Sequence, residues 1–301
     1  YIKQQNSVSG IQLGHSGRKA RASRPWECDR PLQRTADIDD WDDWTPVAPS
    51  ATAHSEKWPV PRALERQEIK DLVQAWGDAA RRAHEAGFDV LELHGAHGYL
   101  VHEFLSERSN QRTDEYGGSE ANRMRFITEV TEAVRSHWPA DKPLFARFSV
   151  EDNPGWGPEQ SVRLAKILKA KGVDVIDCSS GGITDVAPIL GKEIKYSYQV
   201  PLSEYVRQHA DIMTMAVGLI IQGDQAEQRR RDGRADLIAV GREILNNPNW
   251  PMDAAQKLGV DGPFRNVPPQ FGYWLGTRAK RGFGTRPSTW QSGLDDNREV
   301  S

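Results

Sequence analysis

Short apolar runs and longer stretches with helical spacing of apolar residues alternate along most of the chain. This alternation predicts a parallel α/β fold, in which each buried strand is followed by a helix. Six strands are predicted, over residues 10–15, 89–94, 144–150, 173–179, 213–219 and 237–240. Six helices are predicted between and after them, over residues 66–86, 119–137, 158–171, 202–209, 224–232 and 250–258. The pattern ends after about Pro263, so we expect one domain over residues 1–275 and a polar, mobile tail over residues 276–301.

Local signals mark the ends of several predicted helices. Gly87 follows the first helix in the position of a C-terminal glycine, which can take the left-handed backbone conformation that ends many helices. Ser119 precedes a later helix as a candidate N-cap, and Pro158 stands where a helix begins. The helix assignments therefore rest on capping residues as well as on periodicity.

Polar and glycine residues stand at the ends of almost all the predicted strands. The best candidates for function are Gln12, His94, His97, Arg147, Gly218, Gly241 and Arg242. Functional residues gather at the carboxyl ends of several strands in a (β/α)8 barrel, whereas an open doubly wound sheet concentrates them at one switch point. The sequence lacks a G-x-G-x-x-G motif after a strand, so nothing indicates a Rossmann dinucleotide site. We therefore predict a (β/α)8 TIM barrel of which this chain holds about six βα units, strands 3 to 8.

Composition narrows the class of partner. The chain has 301 residues with 39 Lys and Arg against 42 Asp and Glu, a formal net charge of −3, which argues against nucleic acid or an anionic membrane as partner. Cys28 and Cys178 are the two cysteines, too few for a disulfide framework, an iron–sulfur cluster or a cysteine zinc site. No apolar run approaches the 18 or so residues of a membrane helix. We expect a cytoplasmic protein that acts on a small molecule.

The richest chemistry lies in residues 92–100. His94 and His97 stand three residues apart at a strand end that turns on two glycines, and Tyr99 follows them. Two imidazoles can stabilise a developing oxyanion, and a phenol can deliver a proton. One alternative is a metal site made by the two histidines with Glu92 or His102, although the helix of an H-E-x-x-H motif is missing. Another is that the histidines only bond to backbone in the core.

Three further features suggest a bound phosphate and an aromatic ring system. Gly218 and the Gly241–Arg242 pair follow the last two strands, where barrels commonly bind phosphate. Arg147 lies within an apolar strand, and a buried cation must be paired or face a ligand. Gln12 offers an amide that suits the edge of a ring. The alternatives are a surface ion pair for Arg242 and an interior salt bridge for Arg147.

Three stretches of the sequence resemble the old yellow enzyme family of flavin-dependent ene-reductases, particularly its bacterial branch of NADPH dehydrogenases and xenobiotic reductases. They are QLGHSGR at residues 12–18, HGAHGYL at residues 94–100, and SNQRTDEYGGS at residues 109–119. Shorter matches at residues 177–182 and 240–243 extend the similarity, which covers about residues 1–275. The third stretch runs without a gap, so chance agreement is a poor explanation.

The resemblance implies an oxidoreductase that binds FMN at the barrel mouth and takes hydride from NADPH or NADH. It implies that Gln12 holds the pyrimidine edge of the flavin, that Arg147 stabilises the reduced flavin, and that Gly218, Gly241 and Arg242 bind the phosphate. It also implies that His94 and His97 bind the carbonyl or nitro oxygen of an activated alkene. In this scheme Tyr99 protonates the α-carbon. Small-molecule enones or nitro compounds are the expected substrates, and a homodimer or homotetramer is the expected assembly.

The chain also departs from that family. Members begin with a cap and two βα units that are missing from this sequence, so we expect a lost N-terminus before Tyr1. Trp274, Arg278 and Arg281 occupy the region where bacterial members reach into a neighbouring subunit, but the local match is loose and we interpret them as surface residues. Two other functions stay open: a non-catalytic remnant of such an enzyme, and a barrel lyase or aldolase acting on a phosphorylated substrate.

Overall fold

The structure is a computed structural model that describes residues 1–27, 30–34, 45–152, 154–184 and 195–281. One parallel sheet contains six strands: Gly10–Leu13 (β1), Val90–Gly95 (β4), Leu144–Glu151 (β5), Val175–Ser180 (β6), Met213–Ala216 (β7) and Leu237–Ile238 (β8). Its strand order is β1-β4-β5-β6-β7-β8, so strands that follow one another along the chain are neighbours in the sheet. Val47–Ala48 (β2) and Arg62–Ala63 (β3) form a separate parallel pair. All six predicted strands are therefore present.

The helices connect the strands as the alternation predicts. The nine α-helices of the described residues are Arg66–Glu85 (α1), Leu100–Leu105 (α2), Glu120–Arg135 (α3), Pro158–Ala170 (α4), Val200–Ala210 (α5), Gly223–Arg231 (α6), Arg242–Asn246 (α7), Trp250–Lys257 (α8) and Pro269–Lys280 (α9). Short 3-10 turns cover Lys3–Gln5, Gly17–Lys19 and Pro25–Glu27. The caps agree with the sequence: Ser119 accepts the Asn122 N–H, and Gly87 has φ +86° after the end of α1.

Two expectations about element boundaries are wrong. The helical pattern does not end at Pro263, because α9 follows it and crosses the expected domain boundary at residue 275. This helix buries none of its residues, although Phe271, Trp274 and Leu275 have the spacing of one helical face. Strand β7 ends at Ala216 rather than at residue 219, since Gly218 and Leu219 have φ of +111° and +50°, values that a strand does not allow. The expected mobile tail lies largely outside the described residues.

The core lies between the sheet and the helices. Leu91 and Leu93 of β4, Ile176 of β6 and Val130 of α3 are all fully buried. Five consecutive residues of β6 are buried, as expected for a parallel strand that is covered on both faces. The sheet begins at β1 and ends at β8 within the described residues, and Gln12 on β1 is exposed. In the described part of the chain, no helix is both long and apolar enough to cross a membrane.

Candidate active site

Two histidines and a tyrosine come together where β4 ends. His94 is the next-to-last residue of β4. Its ring centroid is 5.2 Å from that of His97 and 5.1 Å from that of Tyr99. His97 and Gly98 form a left-handed turn with φ of +59° and +74°, and this turn carries the chain into α2. Tyr99 is the N-cap residue of that helix. The sequence-predicted trio therefore forms one cluster at the carboxyl end of the sheet.

Both imidazoles of this cluster are neutral at physiological pH. Burial and, to a smaller extent, the positive charge of Arg147 lower the pKa of His94 to about 4. Burial lowers the pKa of His97 to about 3, again with help from Arg147 and then from His94 and Lys19. A neutral imidazole still offers one N–H donor and one acceptor nitrogen. The pair can therefore bind an oxygen atom without carrying positive charge themselves.

One atom of the cluster lacks a partner within the protein. Nδ1 of His94 is buried and has no hydrogen bond to any described residue, although His94 as a whole is only 6% exposed. A buried polar atom without a partner costs free energy, so its presence at a strand end indicates a ligand-binding role. This observation favours function over the alternative of core histidines that bond only to backbone.

The metal alternative receives no support. Nδ1 of His102 accepts the Gly98 N–H at 3.0 Å, which commits that nitrogen to the turn. Glu92 accepts a hydrogen bond from Gln12 instead of approaching the histidine pair. Among the residues that the structure describes, no group of three or more His, Cys, Asp or Glu is placed to hold a metal ion.

Arg147 stands on β5 directly beside His94. The two residues are register partners across β4 and β5, and Asp177 is the partner of Arg147 on β6. Its Nε donates to the Ser179 hydroxyl at 2.9 Å and lies 3.3 Å from Oδ2 of Asp177. The guanidinium is therefore in the interior salt bridge that the sequence left open. It is still 24% exposed, so one side of it can meet a ligand.

Asp177 was not predicted to be part of the site. Burial, opposed by the positive charge of Arg147 and assisted by the negative charge of Glu92, raises the pKa of its carboxyl to about 7. Oδ1 of Asp177 is buried without a partner in the described structure. Only one of the two carboxyl oxygens of Asp177 therefore approaches the Arg147 guanidinium.

Gln12 lies on the edge strand β1. Its Nε2 donates to Oε1 of Glu92 at 2.6 Å, across the register pair that joins β1 to β4. The side chain is exposed, and its amide stands in the same row of residues as Glu92. The Gln12 amide can therefore be reached by a ligand, but it is not part of the histidine cluster.

The three predicted phosphate residues differ from each other. Gly218 needs to be glycine for reasons of packing: its φ is +111°, and a Cβ would lie 2.8 Å from Tyr198 and 2.9 Å from Gln199. Gly241 immediately precedes α7, and a Cβ there would have no heavy atom within 4 Å. Arg242 begins α7 and is exposed. Open space beside Gly241 and an exposed guanidinium suit a phosphate, whereas the need for glycine at position 218 already follows from packing.

Tyr198 is a site residue that the sequence did not reveal. Burial raises the pKa of its hydroxyl, and the positive charges of Arg242 and Arg147 both act to lower it. Tyr198 is thus within electrostatic range of Arg147, which lies beside His94, and of Arg242. No motif contains it, so spatial placement alone identifies it.

Lys19 is a second residue that the sequence reasoning missed. Its Nζ donates to the carbonyl oxygen of His97. It follows directly after the matched stretch at residues 12–18, so that motif could have revealed it.

The C-terminal candidates are surface residues, as interpreted from the sequence. Trp274 is 68% exposed on α9, together with Tyr273 at the same value. Arg278 and Arg281 are also exposed, at the end of α9 and directly after it.

Comparison with known proteins places the chain in a family. The sequence profile of the NADH:flavin oxidoreductase / NADH oxidase family matches residues 1–260. The chain is 45% identical over 261 residues to the NADPH dehydrogenase of Geobacillus sp. (strain WCH70), which covers 86% of this chain and 69% of that protein. The old yellow enzyme homologue from Zymomonas mobilis superposes with a TM-score of 0.66 at 28% identity, over 89% of this chain and 73% of the homologue.

A larger structure shows the fold alone. The 2-naphthoyl-CoA reductase complex superposes with a TM-score of 0.71 at 24% identity, and the match covers 85% of this chain but only 39% of the reductase. The chain thus spans well under half of that protein and about two thirds of the curated relative. The six parallel strands correspond to units of a (β/α)8 barrel, which confirms the predicted fold class. On this evidence the chain belongs to the NADH:flavin oxidoreductase / NADH oxidase family, whose cofactors are FMN and a nicotinamide nucleotide.

Proposed function

We propose that this protein is an FMN-dependent NADPH oxidoreductase that reduces activated C=C bonds, in α,β-unsaturated carbonyl or nitro compounds. The observation that carries the proposal is the neutral pair His94 and His97 beside Tyr99, with the buried Nδ1 of His94 left without a partner. Such a site offers hydrogen bonds to one substrate oxygen and a hydroxyl proton within the same cluster. Family membership supplies the redox partner that this chemistry requires.

The residues at the strand ends fit FMN. Arg147 presents a partly exposed guanidinium beside the histidine pair, and Gln12 presents an exposed amide on the edge strand. The open space beside Gly241 and the exposed Arg242 suit the phosphate. We assign the isoalloxazine to Arg147 and Gln12, and the phosphate to Gly241 and Arg242 with the backbone at Gly218. When bound, FMN would take hydride from NADPH and pass it to the β-carbon of the alkene.

His94 and His97 bind the carbonyl or nitro oxygen in this proposal. Because their pKa values are about 4 and about 3, both rings stay neutral from pH 8 down to about pH 5. Hydrogen bonds from neutral rings strengthen as negative charge develops on the oxygen, which withdraws electrons from the C=C bond. Binding of the substrate oxygen should therefore change little with pH across this range.

Tyr99 supplies the proton. Addition of hydride at the β-carbon leaves an electron pair on the α-carbon and oxygen, and the proton of the Tyr99 hydroxyl forms the new C–H bond at the α-carbon. Water then returns a proton to the tyrosine. The net change is hydride plus proton added across C=C, which balances the oxidation of one NADPH.

The proposal is tested by a redox cycle followed in the flavin absorbance band. Purified protein is titrated with FMN, then bleached with NADPH without oxygen, and finally mixed with 2-cyclohexenone. We expect binding of one FMN, bleaching by NADPH, and return of the oxidised spectrum with formation of cyclohexanone. Bleaching without reoxidation by the enone or by a nitroalkene would contradict the assigned substrate class. A protein that does not bind FMN would contradict the proposal as a whole.

A further inference from the structure

We propose that Lys19 and His102 are positioning residues that hold the His97–Gly98 turn in its left-handed conformation, and so fix where His97 and Tyr99 lie. The inference rests on the proposed function for its catalytic meaning, but its structural content concerns the turn alone. The turn has two consecutive residues with positive φ, and one of them carries a β-carbon, which makes the conformation unfavourable on its own. Such backbone persists only where the surroundings determine it.

Lys19 determines one side of the turn. Its Nζ donates to the carbonyl oxygen of His97 at 2.8 Å and to that of Gly182 at 2.8 Å. Lys19 lies in the 3-10 turn after β1, whereas Gly182 lies in the loop after β6. One ammonium group therefore ties the catalytic turn to the loops that follow two other strands. If the turn flipped, the His97 carbonyl would leave the ammonium, and that charge-assisted bond would be lost.

His102 determines the other side. Its Nδ1 accepts the Gly98 N–H at 3.0 Å, from a ring that is 0% exposed inside α2. Burial holds the pKa of His102 well below its ordinary value, so the ring is neutral. Because Nδ1 accepts the Gly98 N–H, the single ring proton is on Nε2. Nε2 lies 3.5 Å from Oδ2 of Asp152 without a hydrogen bond to any described residue, and that oxygen accepts the Ile183 N–H at 2.9 Å.

The backbone around the turn is closely packed against the loop after β6. A Cβ at Gly98 would overlap the carbonyl oxygen of Gly182, and a Cβ at Gly182 would overlap the His97 backbone. The His97 N–H donates to the Ser149 hydroxyl at 3.2 Å, and that hydroxyl donates to the Gly181 carbonyl at 2.7 Å. The His97 N–H, the His97 carbonyl and the Gly98 N–H are therefore all hydrogen-bonded to groups outside the turn.

The consequence differs between the two histidines. His94 belongs to the strand β4 and has Arg147 of β5 as its register partner, so it does not depend on the turn. His97 lies within the turn and Tyr99 follows it directly. Loosening the turn should therefore disturb the position of His97 and Tyr99 while His94 stays in place, and errors of about 1 Å in such groups can cost about a hundredfold in rate.

The test combines hydrogen exchange with a matched set of variants. Lys19→Met removes both carbonyl bonds, His102→Leu removes the acceptor for Gly98, and His102→Asn places an amide oxygen near the position of Nδ1. Lys142→Met is the control, because Lys142 also donates to a backbone carbonyl, that of Phe88 at 2.6 Å, away from the turn. Amide exchange of residues 97–100 is measured by mass spectrometry, and reoxidation of the reduced flavin by 2-cyclohexenone by stopped flow.

We expect Lys19→Met and His102→Leu to speed exchange of the Gly98 and Tyr99 amides by about tenfold or more, while His102→Asn and Lys142→Met stay near wild type. Reoxidation should slow in the same order. If Lys19→Met does not fold, Lys19→Gln replaces it in the test. The glutamine amide is shorter and uncharged but can still donate to a carbonyl, so the amide exchange rate should be intermediate. Unchanged exchange, or His102→Asn behaving like His102→Leu, would overturn the inference. A wild-type protein that enones never reoxidise would contradict the proposed function, and exchange would still decide the positioning role.

Discussion

The two sides of the site are built differently. On the side of β4, β5 and β6, His94, Asp177 and Ser179 are buried, and protein groups hold the turn after β4 from several directions. On the side of β8, the strand has only two residues, α7 buries none of its side chains, and Arg242 is exposed. The first side is formed by the protein's own hydrogen bonds. The second presents an exposed Arg242 and open space beside Gly241.

This difference suits two different roles, one in the reaction and the other in cofactor binding. Groups that must meet a reacting oxygen need fixed positions and shifted pKa values, and burial provides both. Groups that anchor a phosphate need only donors and space, because the ligand itself supplies the charge and completes the hydrogen bonds. We therefore expect substitutions on the first side to reduce reaction rates, and substitutions on the second side to reduce cofactor affinity.

The largest effect should come from His94→Ala. Losing one donor to the developing oxyanion should lower kcat/KM for the enone by about 10²- to 10³-fold, with FMN affinity little changed. His94→Asn keeps an amide N–H and should lose less. Steady-state kinetics with saturating NADPH measures this, and His209→Ala, at an exposed histidine of α5, is the control. If FMN affinity fell as much as the rate, the division between the two sides would fail.

Arg242→Met should act on the other side. Loss of a charge-assisted bond to phosphate should raise the Kd for FMN by about 10- to 100-fold, while turnover at saturating FMN stays close to wild type. Fluorescence titration of FMN into the apoprotein measures the affinity. Arg81→Met serves as the control, because Arg81 pairs with Glu85 at the end of α1. Equal Kd values for the two variants would remove Arg242 from the phosphate site.

Substitution of Gly218 should mainly reduce stability, whereas substitution of Gly241 should mainly weaken FMN binding. Gly218→Ala should destabilise the apoprotein by about 1–3 kcal/mol, because φ is +111° and the new Cβ would press on Tyr198. Gly241→Ala meets open space and should cost less stability, but it should weaken FMN binding. Denaturant unfolding of the apoproteins gives the stability order. A Gly241 variant that is the less stable of the two would reverse our assignment.

The buried carboxyl of Glu103 should affect how the stability of the protein depends on pH. Burial raises its pKa to about 8, whereas the unfolded chain titrates near its ordinary value of 4.5. Between these values the folded protein binds more protons, so stability falls as pH rises, by about 1.4 kcal/mol per pH unit. Glu103→Gln should remove this dependence, and its advantage over wild type should grow from pH 5 to pH 8. Thermal melts across this range would contradict the assignment if both proteins showed the same slope.

The sequence predicted the repeating part of the fold well. All six strands and six of the nine described helices follow from periodicity and caps. Helices α2 and α7 were missed because they are too short to show a period, and α9 was missed although Phe271, Trp274 and Leu275 have helical spacing. Strand ends were predicted too late where positive φ values interrupt them, as at Gly218.

The candidate site was predictable where residues are close in sequence. His94, His97 and Tyr99 fall within six residues, so the strand end alone brings them together. Lys19, Asp177 and Tyr198 come from separate loops and strands, and only folding brings them near the cluster. The role of Gly218 was also beyond the sequence, because its need for glycine comes from contact with a residue twenty positions earlier.

The central claim is that Tyr99 delivers the proton after hydride transfer, and the two half-reactions of Tyr99→Phe test it directly. Stopped-flow absorbance follows bleaching of bound FMN by NADPH, and separately its reoxidation by 2-cyclohexenone. We predict bleaching within about twofold of wild type and reoxidation slowed by about a hundredfold or more, since only the second step needs the phenolic proton. Equal slowing of both steps, or no slowing of reoxidation, would contradict the account.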